Sequence, residues 1–214
     1  MGVKLVVFDW SGTVIDDREP VYETVARLLK IHNKTIMPFD EWVSIVSTSP
    51  SSLVLSEFIL KNFGVEYNGS ELHDMYKKIL SEVVTDGIKS VSYSDALDVF
   101  RYLTSMGKKI AIVSFQPSEH ISKEADEHGL TQFIARIVGG AFDKSAHLTY
   151  LCKEFNIDSA DVLFVGDMVG DIQAAKIAGI KSVAVATGYH SKEFLLTEKP
   201  DYIISNLSDL KGII

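Results

Sequence analysis

Six short apolar runs constrain the fold of this chain most: "VKLVVFD" (3–9), "KIAIVS" (109–114), "ARIVGG" (135–140), "VLFVGD" (162–167), "SVAVAT" (182–187) and "DYIIS" (201–205). They are rich in Val and Ile and lack the apolar-polar alternation of a strand with one wet face, so each reads as a strand buried on both sides. Helical patterns lie between them. "SDALDVFRYLTSMG" (94–107) offers Ser94 as an N-cap and Gly107 as a stop, and "KSAHLTYLCKEFNI" (144–157) and "VGDIQAAKIAGI" (169–180) fill two further gaps. Strand alternating with helix predicts an α/β fold, a doubly wound Rossmann-like parallel sheet with helices on both faces. In such sheets ligands bind at the carboxyl ends of the strands.

The alternation breaks between residues 17 and 88, where helical patterns carry little strand signal. "REPVYETVARLLKIHN" places Val21, Val25, Leu28 and Leu29 on one face with Pro20 in a first turn, and "SSLVLSEFILKNFG" and "SELHDMYKKILSEVV" repeat the theme. Ahead of these last two, "STSPSS" (47–52) reads as a polar loop or helix entry. The expected organisation is a discontinuous core domain, 1–16 and 89–214, with an all-helical cap domain, 17–88, inserted after the first strand.

Composition limits the partners. A chain of 214 residues, 46% hydrophobic and 23% charged, can bury a substantial core, and its net charge of -8 lacks the basic field that nucleic acid binding needs. No apolar run reaches the roughly 20 residues that span a bilayer, and Asp9 interrupts any leader-like start, so a cytoplasmic location without membrane or nucleic-acid partners is expected. The one cysteine, Cys152, reads as a buried, inert thiol. Trp10 and Trp42 read as packing residues, and the six histidines, His32, His73, His120, His128, His147 and His190, as surface or locally bonded groups.

Chemistry concentrates at the strand ends. Asp9 closes the first run, and "GDMVGD" (166–171) follows the fourth, so a parallel sheet lets Asp9, Asp167 and Asp171 converge. Three close carboxylates repel unless a cation compensates, and hard oxygen ligands suit Mg²⁺. Ser114 closes the second run and Lys144 opens a helix after the third; a hydroxyl and an ammonium beside a metal complete a pocket for a phosphoryl group. Ser11 and Gly12 in the turn after Asp9, with Phe115 beside Ser114, are the further phosphate contacts expected.

Four motifs in order, "DWSGT" with Asp9, "IAIVS" ending in Ser114, "FDKS" with Lys144 and "GDMVGD" with Asp167 and Asp171, make the chain resemble the haloacid dehalogenase superfamily with a helical C1-type cap. "GDMVGDIQAAKIAGI" is similar to its phosphoglycolate-phosphatase-like branch, and "DWSGT" to phosphonoacetaldehyde hydrolases. The resemblance implies a magnesium-dependent phosphohydrolase of a small phosphorylated metabolite, with an aspartyl phosphate on Asp9 and Mg²⁺ held by Asp9, the carbonyl of Ser11 and Asp167, with Asp171 ligating through water or orienting the shell. Ser114 and Lys144 would bind the phosphoryl group. Phosphatases of the family usually carry an acid/base Asp where Ser11 stands, and Phe115 and Gln116 depart from the common Ser/Thr-Asn pattern. Two alternatives follow: phosphonate C–P bond hydrolysis, and a weakly active or non-enzymatic sensor of phosphate ligands.

Overall fold

The computed structural model of the chain describes residues 2–49, 59, 61–66 and 69–214. Most of "SSLVLSEFILKNFG", the Pro50–Ser52 half of "STSPSS" and the side chain of His73 lie outside the described residues. The chain forms two compact units, Met1–Asp16 with Val91–Ile214, and Asp17–Ser90.

In the first unit, β1 (Leu5–Phe8), β4 (Lys109–Val113), β5 (Ile134–Val138), β6 (Val162–Gly166), β7 (Lys181–Val185) and β8 (Tyr202–Ile204) form one sheet. Their order is β5-β4-β1-β6-β7-β8, and the pairs are parallel. β1 is central, and the chain first builds outward on one side of it and then on the other. That reversal opens a crevice beyond the carboxyl ends of β1, β4 and β6.

Two-sided burial accounts for the apolar runs of β1, β4, β6 and β7, whereas the edge strands β5 and β8, expected to be buried on both sides, are only partly covered. All four residues of β1 are fully buried. Val6 and Phe8 pack on one face with Val99, Phe100 and Leu103 of α4 (Ala96–Ser105) and Ile121 and Ala125 of α5 (Ser118–Glu127). Leu5 and Val7 pack on the other with Leu148 and Leu151 of α6 (Lys144–Phe155) and Ala174 and Ala175 of α7 (Val169–Ile177). Each large buried aliphatic side chain contributes about 1.5–3 kcal/mol, so a polar residue inside β1 would be costly on either face. The first polar residue permitted is the one just past the strand's end, Asp9.

Some local expectations need correction. The N-cap of α4 is Asp95, not Ser94, although Gly107 does end the segment in the left-handed region at φ 70°. Cys152 is half-buried at the margin of the second core cluster rather than buried, and desolvation raises its thiol pKa, which keeps it protonated. His190 is not a surface group: it is 2% exposed, and its Nδ1 accepts from the backbone N–H of Val169 at 3.0 Å. Trp10 is fully buried, its indole N–H donating to Glu124 at 2.7 Å, and Trp42 packs edge-on against Tyr22.

A short antiparallel pair, β2 (Ile15–Asp16) with β3 (Val91–Ser92), joins the two places where the chain leaves and re-enters the first unit. The second unit contains α1 (Arg18–Ile31), α2 (Phe39–Val46) and α3 (Gly69–Thr85). Val25, Leu28 and Leu29 of α1 and Leu72, Ile79 and Val83 of α3 are buried, as their helical spacing requires, whereas Val21 is only partly so. Arg27 of α1 pairs with Glu23 at 2.8 Å and with Asp86 just after α3 at 2.7 Å.

Candidate active site

The register of the central strands assembles the site. Phe8 lies opposite Ile112 of β4 and Val165 of β6, so Asp9, Ser114 and Asp167 emerge side by side one or two residues later. The N–H of Asp9 still donates to the carbonyl of Val165 at 2.8 Å, which extends the sheet's bonding to the functional residue itself. Beyond it the chain turns tightly: the N–H groups of Thr13, Val14 and Ile15 all donate to the carbonyl of Trp10.

Asp9, Asp167 and Asp171 are buried, with carboxylate oxygens within 4.8 Å of one another. Lys144 Nζ lies 2.9 Å from Asp9 Oδ2 and 2.7 Å from Asp171 Oδ1. A cation in the first turn of α6 opposes the helix dipole, and two carboxylates offset that cost here. Asp171 sits where the dipole favours an acid, and its Oδ2 accepts from the N–H of Met168 at 3.0 Å at the start of α7. Asp171 therefore caps its helix and holds Lys144 with the same carboxylate.

Asp167 caps nothing. Its Oδ1 accepts from Thr13 Oγ1 at 2.8 Å and its Oδ2 from the N–H of Tyr189 at 2.7 Å. Gly12, at φ 73°, and Gly188 crowd the same carboxylate; a Cβ at either position would overlap it. Both glycines follow from close approach, and Gly12 also from a backbone that other residues adopt only under strain.

Three carboxylates face one ammonium, and protonation reflects that excess of negative charge. Burial, only partly opposed by Lys144 and reinforced by Asp171, pushes Asp9 up to about 7. Burial and the neighbouring Asp9 and Asp171 likewise hold Asp167 well above the ordinary carboxylate range. Burial would lower Lys144, but Asp171 and Asp9 outweigh it and keep the ammonium charged. Asp9 Oδ1 is buried and has no hydrogen-bond partner among the described residues. Three buried carboxylates within reach of one another form an oxygen-only cluster whose donors suit a hard divalent cation.

The remaining expected residues form a neutral neighbourhood. Ser114 is buried, and its Oγ accepts from the N–H of Gln116 at 3.3 Å. Ser11 is half-buried, and its Oγ accepts from Gln116 Nε2 at 2.6 Å. The ring of Phe115, half exposed, lies 4.9 Å from Lys144 Nζ and 6.1 Å from the exposed ring of Phe142. Ser11 and Gln116, two departures from the resembling pattern, are thus bonded to each other. Sequence reasoning marked Gln116 only as a departure. It missed Thr13 despite its place in "DWSGT", and it missed the loop after β7, where Tyr189 holds Asp167 and His190 holds the first residue of α7.

This placement of an acidic cluster and a lysine at the switch point of the β5-β4-β1-β6-β7-β8 sheet has a match among known families. A family model of haloacid dehalogenase-like hydrolases matches residues 3–179, and the chain belongs to that family. Among curated relatives, the phosphoglycolate phosphatase of Aliivibrio fischeri is 25% identical over 223 residues, covering 99% of this chain and 96% of its own. That of Pseudomonas savastanoi pv. phaseolicola is 27% identical over 215 residues, covering 97% of this chain and 78% of its own. Among solved structures, a predicted phosphoglycolate phosphatase from Haemophilus somnus superposes with a TM-score of 0.82 at 23% identity, covering 99% and 97% of the two chains. A haloacid dehalogenase-like family protein from Streptococcus pneumoniae gives 0.81 at 14% identity, covering 99% and 98%. At those identities the two structures speak for the fold.

Proposed function

We propose that the chain is a magnesium-dependent phosphohydrolase acting on a small phosphorylated metabolite through a covalent intermediate on Asp9. One observation carries the reading: Asp9 is buried with Oδ2 fixed by Lys144, while Oδ1 has no partner among the described residues. A carboxylate anchored through one oxygen and open at the other is arranged as a nucleophile. The full-length relatives named as phosphoglycolate phosphatases support a phosphate ester as the kind of substrate.

Asp9, the backbone carbonyl of Ser11, Asp167 and Asp171 would hold Mg²⁺, whose bound charge would neutralise the carboxylates and the phosphoryl oxygens. Asp9 Oδ1 attacks phosphorus, the bond to the leaving oxygen breaks, and water then hydrolyses the aspartyl phosphate. Lys144 aims Asp9 and balances charge on the phosphoryl group. The hydroxyl of Ser114 and the backbone N–H groups of Ser11 and Phe115 bind its oxygens; the N–H of Gly12, expected from the sequence to join them, instead donates to the carbonyl of Ile15 at 2.7 Å and closes the turn. Thr13 and Tyr189 keep Asp167 from turning away.

Phosphate release from a panel of phosphorylated metabolites, with and without Mg²⁺, tests this reading. Release should require the metal, and intact-mass measurement should find a phosphoryl adduct that Asp9→Asn abolishes. An adduct persisting in that variant would overturn Asp9 as nucleophile, and metal-independent turnover would overturn the magnesium role.

A further inference from the structure

A phosphoryl-transfer site needs a route for the proton that an alcohol leaving group requires. Among the described residues of the first unit, the charged groups assembled at the strand ends are committed elsewhere. Asp167 accepts from Thr13 and Tyr189, Asp171 accepts from Lys144 and Met168, and Lys144 is shared between Asp9 and Asp171. The side chain two residues beyond the nucleophile is the hydroxyl of Ser11, which exchanges protons far too reluctantly near neutral pH to act as a general acid. Gln116 Nε2 donates to its oxygen at 2.6 Å. The amide thus occupies a lone pair and leaves the hydroxyl hydrogen to donate in another direction. Ser11 is therefore a fixed donor: it can hydrogen-bond an oxygen that gains charge but does not hand over its proton.

We propose that this site acts on phosphoryl compounds whose leaving group departs as a stable anion, such as acyl phosphates, phosphoanhydrides or aryl phosphates, in preference to alkyl phosphate esters, with Gln116 positioning Ser11 as donor to the departing oxygen. The inference rests on the phosphohydrolase reading and narrows its substrate class. In the first step Asp9 Oδ1 forms a bond to phosphorus, and the bond from phosphorus to the leaving oxygen breaks. The electron pair stays on that oxygen, which leaves as carboxylate, phosphate or phenolate without taking a proton. In the second step water oxygen bonds to phosphorus, the Asp9–phosphorus bond breaks with its electron pair returning to the carboxylate, and the protons of water pass to inorganic phosphate and solvent.

Substituted phenyl phosphates of graded leaving-group pKa, together with acetyl phosphate and a simple alkyl phosphate, provide the test in the presence of Mg²⁺. For the wild-type protein log kcat/KM should fall steeply as leaving-group pKa rises, with the alkyl ester slowest. Ser11→Asp, which installs a proton carrier, should flatten the slope and accelerate the alkyl ester by about 10²–10⁴-fold, with little gain on the most acidic phenols. Gln116→Leu should lower kcat more for the poorer leaving groups, and it should cost nothing further in a Ser11→Ala background, a coupling that a merely structural role would not produce. A flat series in the wild type, with the alkyl ester turned over as fast as the nitrophenyl ester while Asp9 still labels, would overturn this inference alone. Absence of both labelling and turnover on every substrate would overturn the phosphohydrolase reading and this inference with it.

Discussion

The two halves of the strand-end crevice are built differently. Asp9, Asp171 and Lys144 are buried and joined through the Lys144 ammonium, with Asp167 buried beside them on bonds from Thr13 and Tyr189. Ser11 and Gln116 are half-buried and neutral, and the 2.6 Å bond between them holds their relative positions. In the charged half, burial makes every pairing expensive to break; in the neutral half, a hydrogen bond exchanged with water contributes little net stability. The contrast separates two tasks: one half holds charge in place, and the other orients a donor without supplying a mobile proton.

Removing Lys144 should break the charged half. Lys144→Met leaves Asp9 and Asp171 buried without their cation, and a loss of about 3–5 kcal/mol is expected in metal-free denaturant unfolding. A shift under 1 kcal/mol would show that the acids are not dependent on the ammonium. The pH dependence of the metal-free protein is the next largest effect. Asp9 keeps its proton up to about pH 7 when folded but only to about 3.8 when unfolded. Its contribution to stability is therefore full below about 3.8 and lost as pH rises through about 7. Across that window the melting temperature of Asp9→Asn should fall less than that of the wild type; parallel profiles would contradict the raised pKa.

Gly12→Ala probes the contact between the two halves, because Gly12 follows Ser11 and abuts Asp167. The added Cβ at positive φ should cost about 1–3 kcal/mol and weaken Mg²⁺-induced stabilisation in a thermal shift assay. An unchanged melting temperature would mean that the cradle around Asp167 yields easily. Gln116→Leu should be mildest, costing about 0.5–1.5 kcal/mol in chemical denaturation. A loss as large as that of Lys144→Met would erase the distinction between the halves.

What the sequence reveals follows the same physics. Double-sided burial writes β1, β4, β6 and β7 as apolar runs, and the less buried edge strands β5 and β8 still carry enough Val and Ile to be read, so the strands of the large sheet and the polar residues at their ends are legible. Asp9 and Asp167 stand out because each directly follows such a run, whereas Asp171 and Lys144, in the first turns of their helices, are marked only by the order of the motifs. The β2–β3 pair was not readable, since two residues per strand carry no periodicity. The helix Ser118–Glu127 buries only Ile121, Glu124 and Ala125, too sparse an apolar face to announce itself. The bond between Ser11 and Gln116 joins residues 105 positions apart, and that between Val169 and His190 joins residues 21 apart. Neither pairing has a local pattern, because it is set by which loops the strand order brings together.

The short pairing of Ile15–Asp16 with Val91–Ser92 has a consequence for the chain's modularity. Asp16 and Val91 are direct Cα partners, so the residues from Asp17 to Ser90 enter and leave the first unit at neighbouring points. The entropy of closing a loop grows only with the logarithm of its length, so a long insertion between two points already pinned together adds little to the cost of folding the sheet. A tight turn spliced between Asp16 and Val91 would bridge the same gap. That junction is where recombination can exchange one helical unit for another while the strand-end carboxylates keep their register.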